Sequence, residues 1–125
     1  MNKMIYLKRN YIFVPPVEIS PNNMEYGELL TWAHENNRHE SVLELSEEAI
    51  YALQSVLDII NDENNYIIEY FDGGWVNDQE TKKKILNRLA TNTDYEHSIY
   101  ANTFSKIIHL FEQSINTRQP IIFHF

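Results

Sequence analysis

The sequence predicts an α+β fold, mainly helical, in which about four helices pack as one domain over residues 1–125 with a small sheet formed by the N- and C-terminal strands. Three observations carry this. Apolar residues recur at helical spacing through the middle of the chain, whereas both ends are rich in Ile, Tyr, Phe and Val. A hydrophobic content of 43% in 125 residues suffices for a single core, and 3 Gly with 4 Pro leave little room for low-complexity segments.

Met4 to Leu7 and Tyr11 to Val14 have strand composition, and Pro15-Pro16, which lack the N–H a ladder needs, stop them. Ser20 before Pro21 is an N-cap signal, and Tyr26, Leu29, Leu30 and Ala33 continue at helical spacing to about Asn36. Ser46 caps a second helix. Leu45 and Ile50 form its hydrophobic staple, Glu47 and Glu48 meet the positive end of its dipole, and Ile50, Leu53, Val56, Leu57 and Ile60 form its apolar face up to Asn61-Asp62-Glu63-Asn64-Asn65. Tyr66 to Phe71 reads as a short strand, with Asp72-Gly73-Gly74 supplying a positive-φ turn. Asn77 or Asp78 caps a third helix carrying Ile85, Leu86, Leu89 and Ala90. Thr93 and Glu96 have capping-box spacing and open the longest helix, where Tyr100, Phe104, Ile107, Ile108, Phe111 and Ile115 follow a period near 3.6. The core therefore sets Tyr100, Phe104, Ile107, Ile108 and Phe111 against Ile50, Leu53, Leu57 and Leu86. Beyond Pro120, Ile121, Phe123 and Phe125 alternate with Ile122 and His124 as in a strand, which pairs most economically with the N-terminal strands.

With no cysteine, disulfides, thiolate nucleophiles and most structural zinc sites are excluded. The N-terminal apolar run is too short for a signal peptide and no 18-residue apolar stretch follows, so a cytoplasmic protein that does not enter membrane is expected. The net charge of −8 is unevenly spread. Asn10 to Glu80 holds fifteen acids against Arg38 alone, a net −14, while the segments on either side are each +3. Such a block repels phosphates and anionic lipid, so direct nucleic-acid binding is not expected and a basic protein is the implied partner.

Enzymatic signatures are missing. His34 and His39 are five apart and so face different ways on a helix, unlike an i, i+4 zinc pair, and no third ligand accompanies His97 or His109. There is no G-x-S-x-G elbow, and Gly73-Gly74 lacks the spacing and lysine of a P-loop. No cofactor, metal or catalytic residue is therefore expected, and an enzyme would need a site assembled from distant residues. Lys82-Lys83-Lys84 spans several helical faces with no stacking platform among them, and reads as a solvated surface. Tyr66, Tyr70, Phe71 and Trp75 interleave with Glu63, Glu69 and Asp72, combining ring anchors with carboxylates that would orient a cation, and Tyr70 and Trp75 are expected to be at least partly exposed.

In order of features, Ser46 to Trp75, an acidic amphipathic helix followed by an acidic-aromatic segment, resembles the partner-binding region of bacterial nuclease-toxin immunity proteins of the colicin type. Immunity proteins of contact-dependent inhibition systems are a looser match. The resemblance implies a toxin inhibitor that neutralises a cognate basic nuclease toxin through Glu47, Glu48, Glu63, Tyr66, Glu69, Tyr70 and Asp72, with Trp75 added as an exposed ring. A protein-binding adaptor unconnected with any toxin is the alternative.

Overall fold

The computed structural model describes residues 9–18, 25–65, 67–69 and 73–125. Within them the chain forms strand β1 (Asn10–Phe13), helix α1 (Tyr26–Glu35), β2 (Val42–Leu45), α2 (Glu47–Ala52), α3 (Gln54–Glu63), β3 (Gly74–Val76), α4 (Gln79–Ala90), α5 (Ala101–Thr117) and β4 (Ile121–His124). The sheet is antiparallel with order β2-β1-β4-β3, so the two ends of the chain lie side by side at its centre, in register at Tyr11↔His124, Ile12↔Phe123 and Phe13↔Ile122. This is the predicted pairing of terminal strands.

Strand alternation divides the core in two. Ile12, Leu45, Val76, Ile121 and Phe123 point to one face, where α2, α3, α4 and α5 supply Ile50, Leu53, Val56, Leu57, Ile60, Ile85, Leu89, Phe104, Ile107, Leu110 and Phe111. Tyr11, Phe13, Val42 and Ile122 point to the other, where α1 covers them with Leu29, Leu30, Ala33 and Trp32. Helix α1 is further tied to the sheet by Tyr11 Oη to His34 Nδ1 and Tyr26 Oη to His124 Nδ1, each 2.9 Å. The expected core is present, although Tyr100, Ile108 and Leu86 lie at its margin.

Several boundaries differ from the sequence reading. Strand β2 was not anticipated. Its four residues, VLEL, directly precede the Ser46 cap, and only pairing with β1 distinguishes them from a helix approach. Ser46 does cap, with Ala49 N donating to its Oγ at 3.1 Å, but the expected single helix is interrupted at Leu53 (φ −97°, ψ 26°), giving α2 and α3. Asp78 is the cap of α4, accepting Thr81 N at 2.9 Å, and this bond holds its carboxyl below the ordinary range. Thr93 and Glu96 do not open α5. Residues 94–100 are turns, Tyr95 is buried beneath them with its hydroxyl on Ser55 Oγ and Ala52 O, and the helix begins at Ala101. Gly73-Gly74 has no positive φ; Gly73 is needed instead because a Cβ there would collide with the carbonyl oxygen of Phe123, whereas Gly74 begins β3. Met4 to Leu7, expected as a strand, and Ser20-Pro21, expected as a helix start, lie outside the described residues.

Candidate functional site

Of the seventeen acids among the described residues, sixteen are exposed and Glu63 is half-buried, so the acidic block is a surface and not a set of buried pairs. Four of them have cationic partners: Glu44 with Arg9 (2.6 Å), Asp62 and Glu63 both with Arg88 (2.6 and 3.0 Å) and Glu80 with Lys83 (3.2 Å), while Glu112 lies 3.8 Å from His109 Nδ1. Arg88 is thereby held above its ordinary pKa, chiefly by its bond to Asp62. Among the described residues no ion pair reaches Glu25, Glu28 or Glu35 at α1, Glu47 or Glu48 on α2, Asp58 on α3, or Glu69. Their carboxylates face water without a counter-ion among the described residues.

The α2–α3 side carries the most structured part of this surface. Ile50, Leu53, Leu57 and Ile60 turn inward, which leaves Glu47, Tyr51, Gln54 and Asp58, spaced by four, three and four, to turn outward. Asn61 then folds the following segment back against α3: its Oδ1 accepts Ile68 N at 2.7 Å and its Nδ2 donates to Ile68 O at 2.9 Å. Ile68 is fully buried, so this clamp satisfies both of its backbone groups and fixes its neighbours Ile67 and Glu69, which are exposed. Between helix and segment lies an open depression of about 420 Å³ lined by Tyr51, Gln54, Asp58, Asn61, Ile67 and Glu69. Tyr51 is 55% exposed and Ile67 64%.

The predicted residues fall apart in an informative way. Among the described residues Glu47, Glu48 and Glu69 are exposed and form no ion pair, whereas Glu63 is engaged by Arg88. Trp75 is 46% exposed, as expected of it. On edge strand β3, however, it sits opposite Ile122, whose side chain faces α1, so its ring points to the α1 side of the sheet and away from the depression. Tyr66, Tyr70 and Asp72 lie outside the described residues. Sequence reasoning passed over Tyr51, Asp58 and Ile67. Tyr51 was detectable, since it lies four residues from Glu47 and off the apolar face of the helix.

Lys82 corrects another expectation. It is fully buried and not part of a solvated face, because it lies three and seven residues before Ile85 and Leu89 on the inward side of α4. Its Nζ donates to Ser114 O (3.2 Å), Ser114 Oγ (3.2 Å) and Gln119 O (3.1 Å), and burial pushes its pKa down to about 8. His34 and His39 serve the fold, the latter accepting Ser41 N at Nδ1 (3.0 Å), and no group of three metal-ligating side chains occurs among the described residues. No helix among them is long and apolar enough to cross a membrane.

Residues 10–125 match the family described as DMP12, DNA-mimic protein. The chain belongs to the DMP12 DNA-mimic family. It is 29% identical over 106 residues to the DNA mimic protein DMP12 of Neisseria meningitidis serogroup B, covering 81% of this chain and 85% of the relative. The structure of the Neisseria DNA mimic protein DMP12 superposes with a TM-score of 0.72 at 23% identity, covering 94% of this chain and 99% of the other, which shows a shared fold.

Membership in the DMP12 family overturns the resemblance to toxin-immunity proteins, and with it the reading of the chain as an immunity protein and toxin inhibitor whose partner is a nuclease toxin. The physical cause of the error is plain. An acidic amphipathic helix followed by carboxylates and rings is what any protein facing a cationic surface presents, and charge does not distinguish a toxin from a protein that binds DNA. The family gives no indication of catalysis.

Proposed function

We propose that this chain binds, without catalysis and in the cytoplasm, the DNA-contacting surface of a DNA-binding protein, its carboxylates standing in for phosphates. The observation that carries the reading is the match to the DNA-mimic family over residues 10–125, and the exposed, unpaired carboxylates supply its chemistry. Glu47, Glu48, Asp58 and Glu69 are the positions assigned to it, with Glu63 acting only as an anchor for Arg88.

Magnitudes indicate how far the imitation extends. Duplex DNA carries one negative charge per about 1.7 Å of axis, so over the roughly 15 Å of a ten-residue helix it presents about nine. Helix α3 has ten residues and offers Asp58, Asp62 and Glu63, two of which are already paired with Arg88. One helix is therefore too dilute, and acids from α2 and the segment at Glu69 must act together with it on a rigid frame. Lysine and arginine groups that neutralise phosphates account for most sequence-independent DNA binding, so a partner of this kind accepts such a frame without reading bases.

The test uses immobilised chain and the duplex-binding proteins of the source bacterium, taken as the eluate of a DNA–cellulose column. A retained protein should be released by an unrelated 20-bp duplex and should associate more slowly as salt rises. Retained proteins that duplex DNA cannot displace would overturn the proposal.

A further inference from the structure

We infer that the depression between α3 and the segment 67–69 receives an arginine side chain of the partner, so that this part of the surface acts as a guanidinium socket and not merely as negative charge. The inference rests on the proposed function and specifies the partner chemistry of the same surface.

Four features of the depression argue for it. It is concave and open, at about 420 Å³, so a side chain can enter from solvent. Two carboxylates, Asp58 on the helix and Glu69 on the folded-back segment, belong to different elements that line it, and neither is ion-paired among the described residues. Gln54 Nε2 donates to Asp58 Oδ1 at 3.1 Å, and the Asn61 side chain is committed to Ile68 through both its groups. The amide donors are thus turned to internal use, and Asp58 Oδ2, Gln54 Oε1 and the Glu69 oxygens remain as acceptors. Finally, Tyr51 and Ile67, both more than half exposed, add apolar surface beside the charges.

That combination discriminates between cations. A lysine ammonium is compact and strongly hydrated, and gains little from a ring or an aliphatic wall beyond its stem. A guanidinium is planar, carries five donors in a fixed fork, stacks on aromatic faces and is more weakly hydrated. Acceptors from two elements beside apolar surface suit that group better than a compact ammonium. A DNA-binding surface that grips phosphates with arginine carries the required group.

The test has two arms. In the first, the ¹⁵N-labelled full chain is titrated at low salt with argininamide and, separately, with lysinamide. The largest amide shifts should fall at Tyr51, Gln54, Asp58 and Ile67 to Glu69, and argininamide should saturate them at a concentration at least threefold below lysinamide. Shifts spread evenly over all acidic segments, or equal affinity for the two amides, would overturn the inference. In the second arm, Asp58→Asn combined with Glu69→Gln should raise about tenfold the concentration of chain that displaces a labelled duplex from a protein retained in the assay above, while Glu28→Gln with Glu35→Gln should change it less than twofold. Displacement by the wild type that the first pair leaves unaltered would overturn the socket alone, whereas no displacement by the wild type would overturn the proposed function.

Discussion

Replacing Gly73 by alanine should destabilise the fold by about 2–4 kcal/mol, whereas the same change at Gly74 should alter it by less than about 1 kcal/mol. A Cβ on Gly73 would sit inside the carbonyl oxygen of Phe123, 3.0 Å from its carbonyl carbon and 3.2 Å from His124 Cα, all of it backbone of a central strand that cannot rotate away. Relief requires β3 to move off β4. That shift threatens the ladder formed at Gly74↔Phe123, Trp75↔Ile122 and Val76↔Ile121, and it loosens the packing of Val76 and Ile68, both fully buried. Two hydrogen bonds at about 1 kcal/mol each, plus 1–2 kcal/mol of lost burial, are offset by roughly 0.4–1 kcal/mol from the stiffer unfolded chain. At Gly74 the added Cβ would meet only the Ile68 side chain, Cγ1 at 3.4 Å and Cδ1 at 4.0 Å, both ordinary contacts. Urea unfolding at 25 °C measures both variants, and at a slope of about 2 kcal/mol/M the Gly73 variant should lose about 1–2 M in midpoint. A Gly73→Ala protein within about 0.5 kcal/mol of wild type would refute the steric reasoning.

Two further outcomes follow from groups in uncommon settings. Burial lowers the pKa of Lys82 from its ordinary 10.5 to about 8, so between those values the unfolded chain binds more protons than the folded one. Its contribution to stability should therefore rise as pH climbs from 8 towards 10.5 and be lost as pH falls through 8; Lys82→Met should flatten that part of the pH–stability curve, and an unchanged slope would remove Lys82 as its source. Arg118 ends α5 in the left-handed region (φ 57°, ψ 25°), where a Cβ is strained, so Arg118→Gly should stabilise by about 0.5–1 kcal/mol and raise Tm by a few degrees, and a fall in Tm would contradict this.

Local chemistry was legible wherever one residue type enforces one conformation. Ser46 caps as expected, and of the two candidates Asn77 and Asp78 it is Asp78 that caps, because a side-chain oxygen placed before an apolar periodic run has few better uses. The alternation of Ile121, Ile122 and Phe123 marked β4, and the demand of apolar terminal strands for partners set it beside β1. The acidic block was legible too, since charge can be counted without a fold.

What the tertiary structure decided is which of those charges and rings act together. Arg88, distant in sequence from Asp62 and Glu63, pairs with both and offsets their charge, and Asn61 swings Glu69 round to line, with Asp58, a depression that neither segment implies. Trp75, adjacent in sequence to the acidic-aromatic segment, is sent to the other side of the sheet by strand alternation, and Lys82, one of three consecutive lysines, is drawn inside by the phase of α4. Sequence sets what each residue can do and its phase within its own element. The packing of elements sets what it meets, and recognition of a cationic surface depends on the second, because Coulomb attraction and desolvation are properties of neighbours in space.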